Sequence, residues 1–168
     1  MCKRTILTYE EKISLIPSIC LLLEISYDLM IKSVNRSMMV KVNGIDDEFL
    51  KYGYSLIMSG LDPHIIKAVL NNLIDNEPDN YMHLKMRMQR DVILAMQQHD
   101  HFNISVLITF SYLGLGFKYK FLDEIKKHNF DVYCYVLNYS LFTKYNLDTC
   151  IENMEKIESY EYKRPPDF

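Results

Sequence analysis

The chain has 168 residues, of which 49% are apolar, with 13 Tyr, 10 Met and no Trp, and its formal net charge is −3. A chain of this length and composition can bury a core, and its small net charge and many aromatic residues argue against intrinsic disorder. The negative charge and the lack of a basic stripe argue against a nucleic-acid partner.

The first part of the chain predicts a long helix. Thr8 and Glu11 have the spacing of a capping box, so a helix is predicted to begin near Tyr9. Pro17 either kinks this helix or lies in the first turn of a second one. One broad apolar face then runs along the helix through Leu15, Ile16, Ile19, Cys20, Leu22, Leu23, Tyr27, Met30 and Val34. Such a broad face predicts a helix packed between neighbours on several sides.

The centre of the chain predicts two short helices separated by a tight joint. Asp46 or Asp47 can cap the first, and Gly60 ends it, because glycine tolerates the left-handed conformation that closes a helix. Asp62 then caps the second helix, and Pro63 occupies its first position. We call the following residues the central joint: Phe49, Gly53, Gly60, Asp62 and Pro63. The predicted buried stripe of the second helix is Ile66, Val69, Leu70 and Leu73.

Asp79 predicts the start of a long helix that runs from Asn80 to about Gln98. This helix carries three basic residues, Lys85, Arg87 and Arg90. We interpret them as a solvated face balanced by nearby Asp79 and Asp91, with an acidic partner as the alternative.

The last third of the chain predicts further helices. One should cover Ile104 to about Leu113, and Gly114 and Gly116 loosen its end. Two or three shorter helices should follow between Lys118 and Ser159, with a strand over Asp131–Tyr139 as a weaker alternative.

The predicted fold class is therefore all-α, a single compact domain of five to eight helices over residues 1–160. Residues 99–160 form its C-terminal helices, and residues 161–168 form a frayed tail.

Two apolar runs, Ile13–Leu23 and Asn103–Phe117, are both shorter than the roughly 20 residues that span a bilayer. We interpret both as buried core helices and expect no firm membrane insertion, although the sequence leaves open whether Asn103–Phe117 touches a membrane. The N-terminal residues do not have the pattern of a secretory signal, since Glu10 and Glu11 come before any long apolar region.

The sequence contains one cluster of metal-ligand type, His99-Asp100-His101. It supplies at most three adjacent donors, and neighbouring residues on a helix point in different directions, so we expect a solvated helix end and no metal. The four cysteines have neither zinc-site nor disulfide spacing and are expected to be buried thiols in a reducing cytosol; they are Cys2, Cys20, Cys134 and Cys150. No phosphate-binding loop, nucleophile elbow or zinc-binding helix is present, so we expect neither an enzyme nor a cofactor.

The spaced pattern of the central helices resembles the cytoplasmic region of MotA-type flagellar stator subunits. The residues that carry it are Phe49-Leu50-Lys51-x-Gly53-x-x-Leu56-Ile57-x-x-Gly60-x-Asp62-Pro63-x-x-Ile66-x-x-x-Leu70. The similarity covers about residues 10–98, with Leu15-Ile16-Pro17 upstream and the long helix from Asn80 downstream. The membrane spans of the family are not recognisable, and the Ala-Pro that precedes its third span is missing. The resemblance therefore implies a stand-alone relative of the cytoplasmic domain rather than an ion-driven stator.

The segment that faces the rotor in this family corresponds to SVNRSMMVKV in this chain. Ser37-Met38-Met39 stands for the family's Gly-Leu-Leu, while Val34 and Val42 fall where it carries charges. The resemblance thus implies a partner-binding segment that contains Arg36, Met38, Met39 and Lys41.

The resemblance further implies a protein partner from the flagellar motor and a cytoplasmic location at the periphery of the inner membrane. The alternative is a host- or phage-encoded helical regulator or adaptor unrelated to motility, whose joint matches by convergence. The sequence leaves the oligomeric state open.

Overall fold

The computed structural model describes residues 7–32 and 44–139 of the chain. These residues form seven α-helices and a short 3₁₀-helix, and no strand. The helices are α1 (Tyr9–Lys32), α2 (Glu48–Met58), α3 (Pro63–Asp75), α4 (Asn80–Gln97), α5 (Phe102–Leu113), α6 (Lys118–His128) and α7 (Phe130–Tyr139), with the 3₁₀-helix at Leu115–Phe117. The all-α prediction is confirmed, and the alternative strand at Asp131–Tyr139 is wrong because this segment is helical.

Helix α1 lies at the centre of the domain and contacts α4, α5, α6 and α7. It begins at the predicted capping box, where the Thr8 N–H donates to Glu11 Oε2 at 2.7 Å and the Glu11 N–H donates to Thr8 Oγ1 at 3.2 Å. Pro17 lies inside the helix. The broad apolar face is buried, with exposed fractions of at most 1% at Leu15, Ile16, Ile19, Leu22 and Leu23. This confirms the prediction of a helix packed on several sides.

The length of α1 changes one expectation about membranes. The stretch Tyr9–Met30 is long and apolar enough to cross a bilayer by length and composition, whereas the run Ile13–Leu23 alone was expected to be too short. Half of the most apolar part of this stretch is buried inside the domain. Among the described residues, Phe102–Leu113 is a shorter apolar helix.

The central joint separates α2 and α3 as predicted. Gly60 adopts the left-handed conformation, with φ of 69°. Asp62 then caps α3 by accepting a hydrogen bond from the His64 N–H at 3.1 Å, and Pro63 occupies the first turn. The buried residues of α3 are Ile66, Leu70 and Ile74. The prediction that Leu73 is buried is wrong, since 41% of it is exposed; residues four apart share a helix face, so the stripe from Ile66 and Leu70 continues at Ile74.

Replacing Gly60 with alanine is expected to lower the free energy of unfolding by about 1 kcal/mol, because a side chain disfavours the left-handed conformation. A Cβ at Gly60 would have no atom within 4 Å, so any loss of stability comes from backbone strain and not from steric overlap. Gly116 is the matched control, since it also has open space around it and its φ lies outside the left-handed range. Urea denaturation of both variants checks the prediction, and equal midpoints for Gly60→Ala and Gly116→Ala would contradict it.

Helices α4 and α5 form an antiparallel pair joined by a tight turn. The Asp100 N–H donates to the Ala95 carbonyl at 2.9 Å, and the His99 N–H donates to the Met96 carbonyl at 3.1 Å. These two bonds define a Schellman motif, whose left-handed position is usually a glycine. Here that position is occupied by His99, with φ of 57°. His101 follows as the N-cap of α5.

Replacing His99 with glycine is therefore expected to raise the free energy of unfolding by about 1 kcal/mol, since the strained side chain is removed while both capping bonds stay. His128, the exposed last residue of α6, is the control because its φ is not positive. Thermal unfolding should give a higher midpoint for His99→Gly and no gain for His128→Gly. A lower midpoint for His99→Gly would show that the imidazole makes a stabilising contact.

Helices α6 and α7 close the domain against α1. Tyr27 of α1 stacks on Tyr135 of α7, with ring centroids 3.7 Å apart. Phe110 of α5 meets Phe121 of α6 edge to face at 5.8 Å. These aromatic contacts tie the C-terminal helices to the core.

Candidate functional site

The segment that the resemblance assigns to partner binding lies outside the described residues. It contains Arg36, Met38, Met39 and Lys41, and residues 33–43 fall between α1 and the turn before α2. The proposal for these four residues therefore stays a prediction.

The residues of the central joint serve the packing of α2 and α3. Gly53 is buried where α2 meets Ile93 of α4, and Phe49 is half-buried against the core. The N–H of His64 holds the pKa of the Asp62 carboxyl below its ordinary value. Each of these residues has a local structural role.

The histidine cluster lies at the turn between α4 and α5, where His99, Asp100 and His101 are all exposed. His101 Nδ1 accepts a hydrogen bond from the Asn103 N–H at 3.3 Å, so its side chain acts as a helix cap. Within the described residues, no group of three His, Cys, Asp or Glu side chains is placed to hold a metal ion.

The two described cysteines, Cys20 and Cys134, are free thiols. Burial, with a smaller contribution from the charge of Glu24, raises the pKa of Cys20 to about 12. Cys20 therefore stays protonated at neutral pH and is a poor nucleophile. Cys2 and Cys150 lie outside the described residues.

The basic residues of α4 do not form the solvated face that was expected. Of the two carboxylates expected to balance the basic residues, Asp91 pairs with Arg90. Lys85 pairs instead with Asp47 at 2.7 Å, and the side chains of Lys85 and Asp47 are largely buried. Arg90 donates to Asp91 Oδ1 at 2.6 Å and to Asn71 Oδ1 at 2.7 Å. Arg87 is half-buried, and its buried Nε–H has no hydrogen-bond partner among the described residues.

Asp91 connects three helices through a short polar network. The Tyr112 hydroxyl of α5 donates to Asp91 Oδ2 at 2.5 Å, while Arg90 joins Asp91 to Asn71 of α3. Burial and the hydrogen bond to Asp91 raise the pKa of Tyr112, so its hydroxyl remains a donor at neutral pH. The network fixes the spacing of α3, α4 and α5.

An open groove of about 580 Å³ runs along α4 between α3 and α5, and we call it the α4 groove. Its lining consists of Asp62, Pro63, His64, Lys67, Asp91, Leu94, Ala95, Gln98, Asp100 and Ile108. Asp62 is engaged as a helix cap, and Asp91 is engaged by Arg90 and Tyr112. Asp100, at the turn, is exposed and its carboxylate has no ion pair among the described residues.

Apolar side chains border this groove on the outer side of α5. Ile104 is 39% exposed and Leu107 is 40% exposed. With half-buried Ile108 and exposed Ser111 they occupy positions three and four residues apart, which share one side of a helix. We call these four residues the α5 face.

Arg87 does not line the α4 groove, but its spacing places it on the same face of α4 beyond Asp91. It precedes Asp91 by one helical turn and Leu94 by two, and residues at these spacings share a helix face. The charge of Arg87 also acts on Tyr112 of α5. The surface thus has a cation at one end, apolar side chains in the middle and the Asp100 carboxylate at the other end.

This surface was not predicted from the sequence, which treated Ile104–Leu113 as a core helix. One signal was present, because the helix is apolar on nearly all sides and a surface helix normally has a polar outer side. The positions of α1 and α4 determine which apolar residues of α5 face outward. The helical period alone does not predict those positions.

Comparison of the chain with protein-family models, with curated proteins and with solved structures finds no match.

Proposed function

We propose that this chain is a non-catalytic interaction protein that binds another protein through the α5 face and the α4 groove. The observation that carries the proposal is the exposure of Ile104 and Leu107 beside an open groove, with half-buried Arg87 on the same side. Apolar side chains at the centre with charged groups around them are typical of protein interfaces.

The energetics favour covering this surface. Burying the exposed parts of Ile104 and Leu107 would contribute about 1 kcal/mol for each side chain. Half-buried Arg87 adds a positive charge near this surface, which favours a partner with an acidic group at that level. An enzymatic function has no comparable support, since the α4 groove holds neither a nucleophile next to a base nor a pair of uncommitted carboxylates.

The resemblance to stator subunits supports a finer proposal, in which the partner is a component of the flagellar motor. The segment with Arg36, Met38, Met39 and Lys41 would then supply a second contact. The alternative, a helical regulator unrelated to motility, uses the same α5 face with a different partner. Flagellar genes beside the coding sequence would favour the first proposal.

Site-specific photocrosslinking in native cells tests the interaction. A photoreactive amino acid replaces Leu107 in one variant and Phe130 in the control variant, since Phe130 is 60% exposed and lies on α7. The expected result is a discrete adduct at position 107 alone, identified by mass spectrometry and formed again with the purified partner. Equal, diffuse labelling at both positions would contradict the proposal.

The contribution of the undescribed segment is tested separately with the double variant Met38→Glu/Met39→Glu. If the segment binds the partner, this variant should fold but should no longer bind the protein that is crosslinked to position 107. A folded variant with full capture would remove the segment from the interface, and an unfolded variant would place both methionines in the core.

A further inference from the structure

We propose that residues 147–157 of this chain cover the α5 face until another protein displaces them. This inference rests on the proposed function, because it concerns how access to the same binding surface is controlled. Residues 147–157, which we call the C-terminal segment, lie outside the described residues. Their sequence and the position of the helix that precedes them both favour this contact.

The C-terminal segment has the sequence pattern of an amphipathic helix. Glu152, Glu155 and Lys156 provide charged positions, and Asp148 is suited to cap the start of the helix. The apolar residues fall three and four residues apart, which places them on one side; they are Leu147, Cys150, Ile151, Met154 and Ile157. A helix this short is marginal in water by itself and is stabilised by packing its apolar side on another surface.

The position of α7 brings the chain to the start of α5. Tyr135 of α7 stacks on Tyr27 of α1, and Tyr27 meets Phe102, the first residue of α5, edge to face at 5.7 Å. Helix α7 also contacts α5, and it ends at Tyr139, about 6 Å beyond Tyr135 along its axis. The chain beyond Tyr139 therefore starts close to the start of α5.

The C-terminal segment has the length that this surface requires. Residues 140–146 can span up to about 23 Å when extended, and Ile104, where the α5 face begins, is two residues from Phe102. A helix over the C-terminal segment would be about 16 Å long, whereas the levels of Ile104 and Ser111 on α5 are about 10 Å apart. One helix that lies along α5 can therefore cover the whole α5 face.

Other exposed apolar side chains are less suited to bind this segment. Ile65 and Leu73 are each 41% exposed, but they lie on α3, which packs on α2 and α4. The α5 face lies on a helix that α7 itself contacts. It is therefore the apolar surface nearest to the point where the chain leaves α7.

The contact would control binding because the segment and the surface belong to one chain. A tethered segment acts at an effective concentration on the order of 1 mM, so even a weak apolar contact keeps the α5 face covered. The apparent affinity of a partner then falls in proportion to the fraction of chains in which the face is open. Only a partner that binds the face more strongly than the segment does would displace it.

Photocrosslinking of the purified full-length chain tests the contact. The photoreactive amino acid replaces Leu107, or Phe130 in the control chain. The expected result at position 107 alone is an adduct within one chain that maps to the tryptic peptide Tyr145–Lys156. A mixture of isotopically light and heavy chains should give no adduct between the two, which would exclude a second copy as the occupant. An adduct between light and heavy chains, or no adduct to this peptide, would overturn the inference.

Charge substitutions test which side of the segment makes the contact. Ile151→Glu/Met154→Glu should lower the yield of the position-107 adduct about tenfold, because a charged side chain is costly to bury against apolar residues. Thr149→Glu/Asn153→Glu adds the same charge outside the apolar side and should leave the yield unchanged. Circular dichroism checks the fold, and if the first variant unfolds, Ile151→Ala/Met154→Ala should lower the yield by a smaller factor. Equal yields from the folded variants would overturn the inference.

The outcomes in cells separate this inference from the proposed function. If both are correct, Ile151→Glu/Met154→Glu increases the adduct between position 107 and another protein. An adduct with another protein in cells, without an intrachain adduct in the purified chain, would overturn the inference and leave the interaction function standing. An intrachain adduct with no adduct to another protein, even in this variant, would overturn the proposed function and with it the displacement of the segment.

Discussion

Replacing Asp47 with alanine is expected to lower the free energy of unfolding by about 3 kcal/mol, because it leaves a largely buried lysine without its partner. Asp47 accepts hydrogen bonds from the Leu50 N–H at 3.0 Å, from Lys85 at 2.7 Å and from Gln89 Nε2 at 2.7 Å. The carboxylate therefore caps α2 and joins it to α4. Guanidinium or urea denaturation measures the loss.

Asp79 is the matched control for this prediction. It caps α4 by accepting from the Met82 N–H at 2.7 Å, and it forms no ion pair among the described residues. Asp79→Ala should cost only the cap, about 1 kcal/mol. Asp47→Ser keeps a capping hydroxyl, so its loss in free energy of unfolding should lie between the losses of Asp47→Ala and Asp79→Ala. Equal losses for Asp47→Ala and Asp79→Ala would mean that the Lys85 pair contributes nothing.

The same network predicts a dependence of stability on pH. Burial alone would raise the pKa of the Asp47 carboxyl, but hydrogen bonds from Lys85, the Leu50 N–H and Gln89 bring it below its ordinary value. The unfolded chain therefore takes up the proton first as the pH falls below about 4. The stabilisation by Asp47 is fully present above that pH and is lost as the pH drops through the folded pKa. Asp47→Ser should lack this acid-dependent part of the unfolding curve.

Replacing Gly53 with alanine is expected to destabilise the domain by about 2 kcal/mol through overpacking between α2 and α4. A Cβ at this position would overlap with Cδ1 of Ile93, which is fully buried. The close approach of the two helices therefore requires glycine here, although alanine favours a helix by up to about 1 kcal/mol.

A double variant tests this explanation directly. Ile93→Val removes the Cδ1 atom that a new Cβ would strike, and alone it should cost about 1 kcal/mol. Because the cavity and the added methyl group compensate each other, Gly53→Ala/Ile93→Val should be more stable than Gly53→Ala. If the loss in free energy of unfolding of the double variant equals the sum of the two single losses, Gly53 is required for another reason.

Local signals in the sequence predicted the helix boundaries well. Helix starts were predicted from Thr8 with Glu11 and from Asp62 with Pro63, and a helix end was predicted from Gly60. These predictions were possible because capping depends on a few adjacent residues. The all-α fold follows from these boundaries and the apolar periodicity.

The sequence did not predict features that depend on contacts between distant helices. Asp91 was expected to balance the basic residues of α4 and does pair with Arg90, but Lys85 pairs with Asp47, which is remote in sequence. Leu73 was assigned to the core because it is apolar and nearly in phase, yet the position of α4 selects Ile74 instead. The α4 groove arises from three helices together, so no single segment could indicate it.

The central position of α1 has a consequence for synthesis of the protein. The helix leaves the ribosome before the elements that it contacts most, α4 to α7, which follow much later in the chain. Until α5 has emerged, the apolar side chains of α1 have no complete set of neighbours, and the helix is long and apolar enough to enter a bilayer. The rate at which α4 and α5 are translated therefore sets how long the apolar side chains of α1 stay exposed to aggregation and to chaperones on the nascent chain.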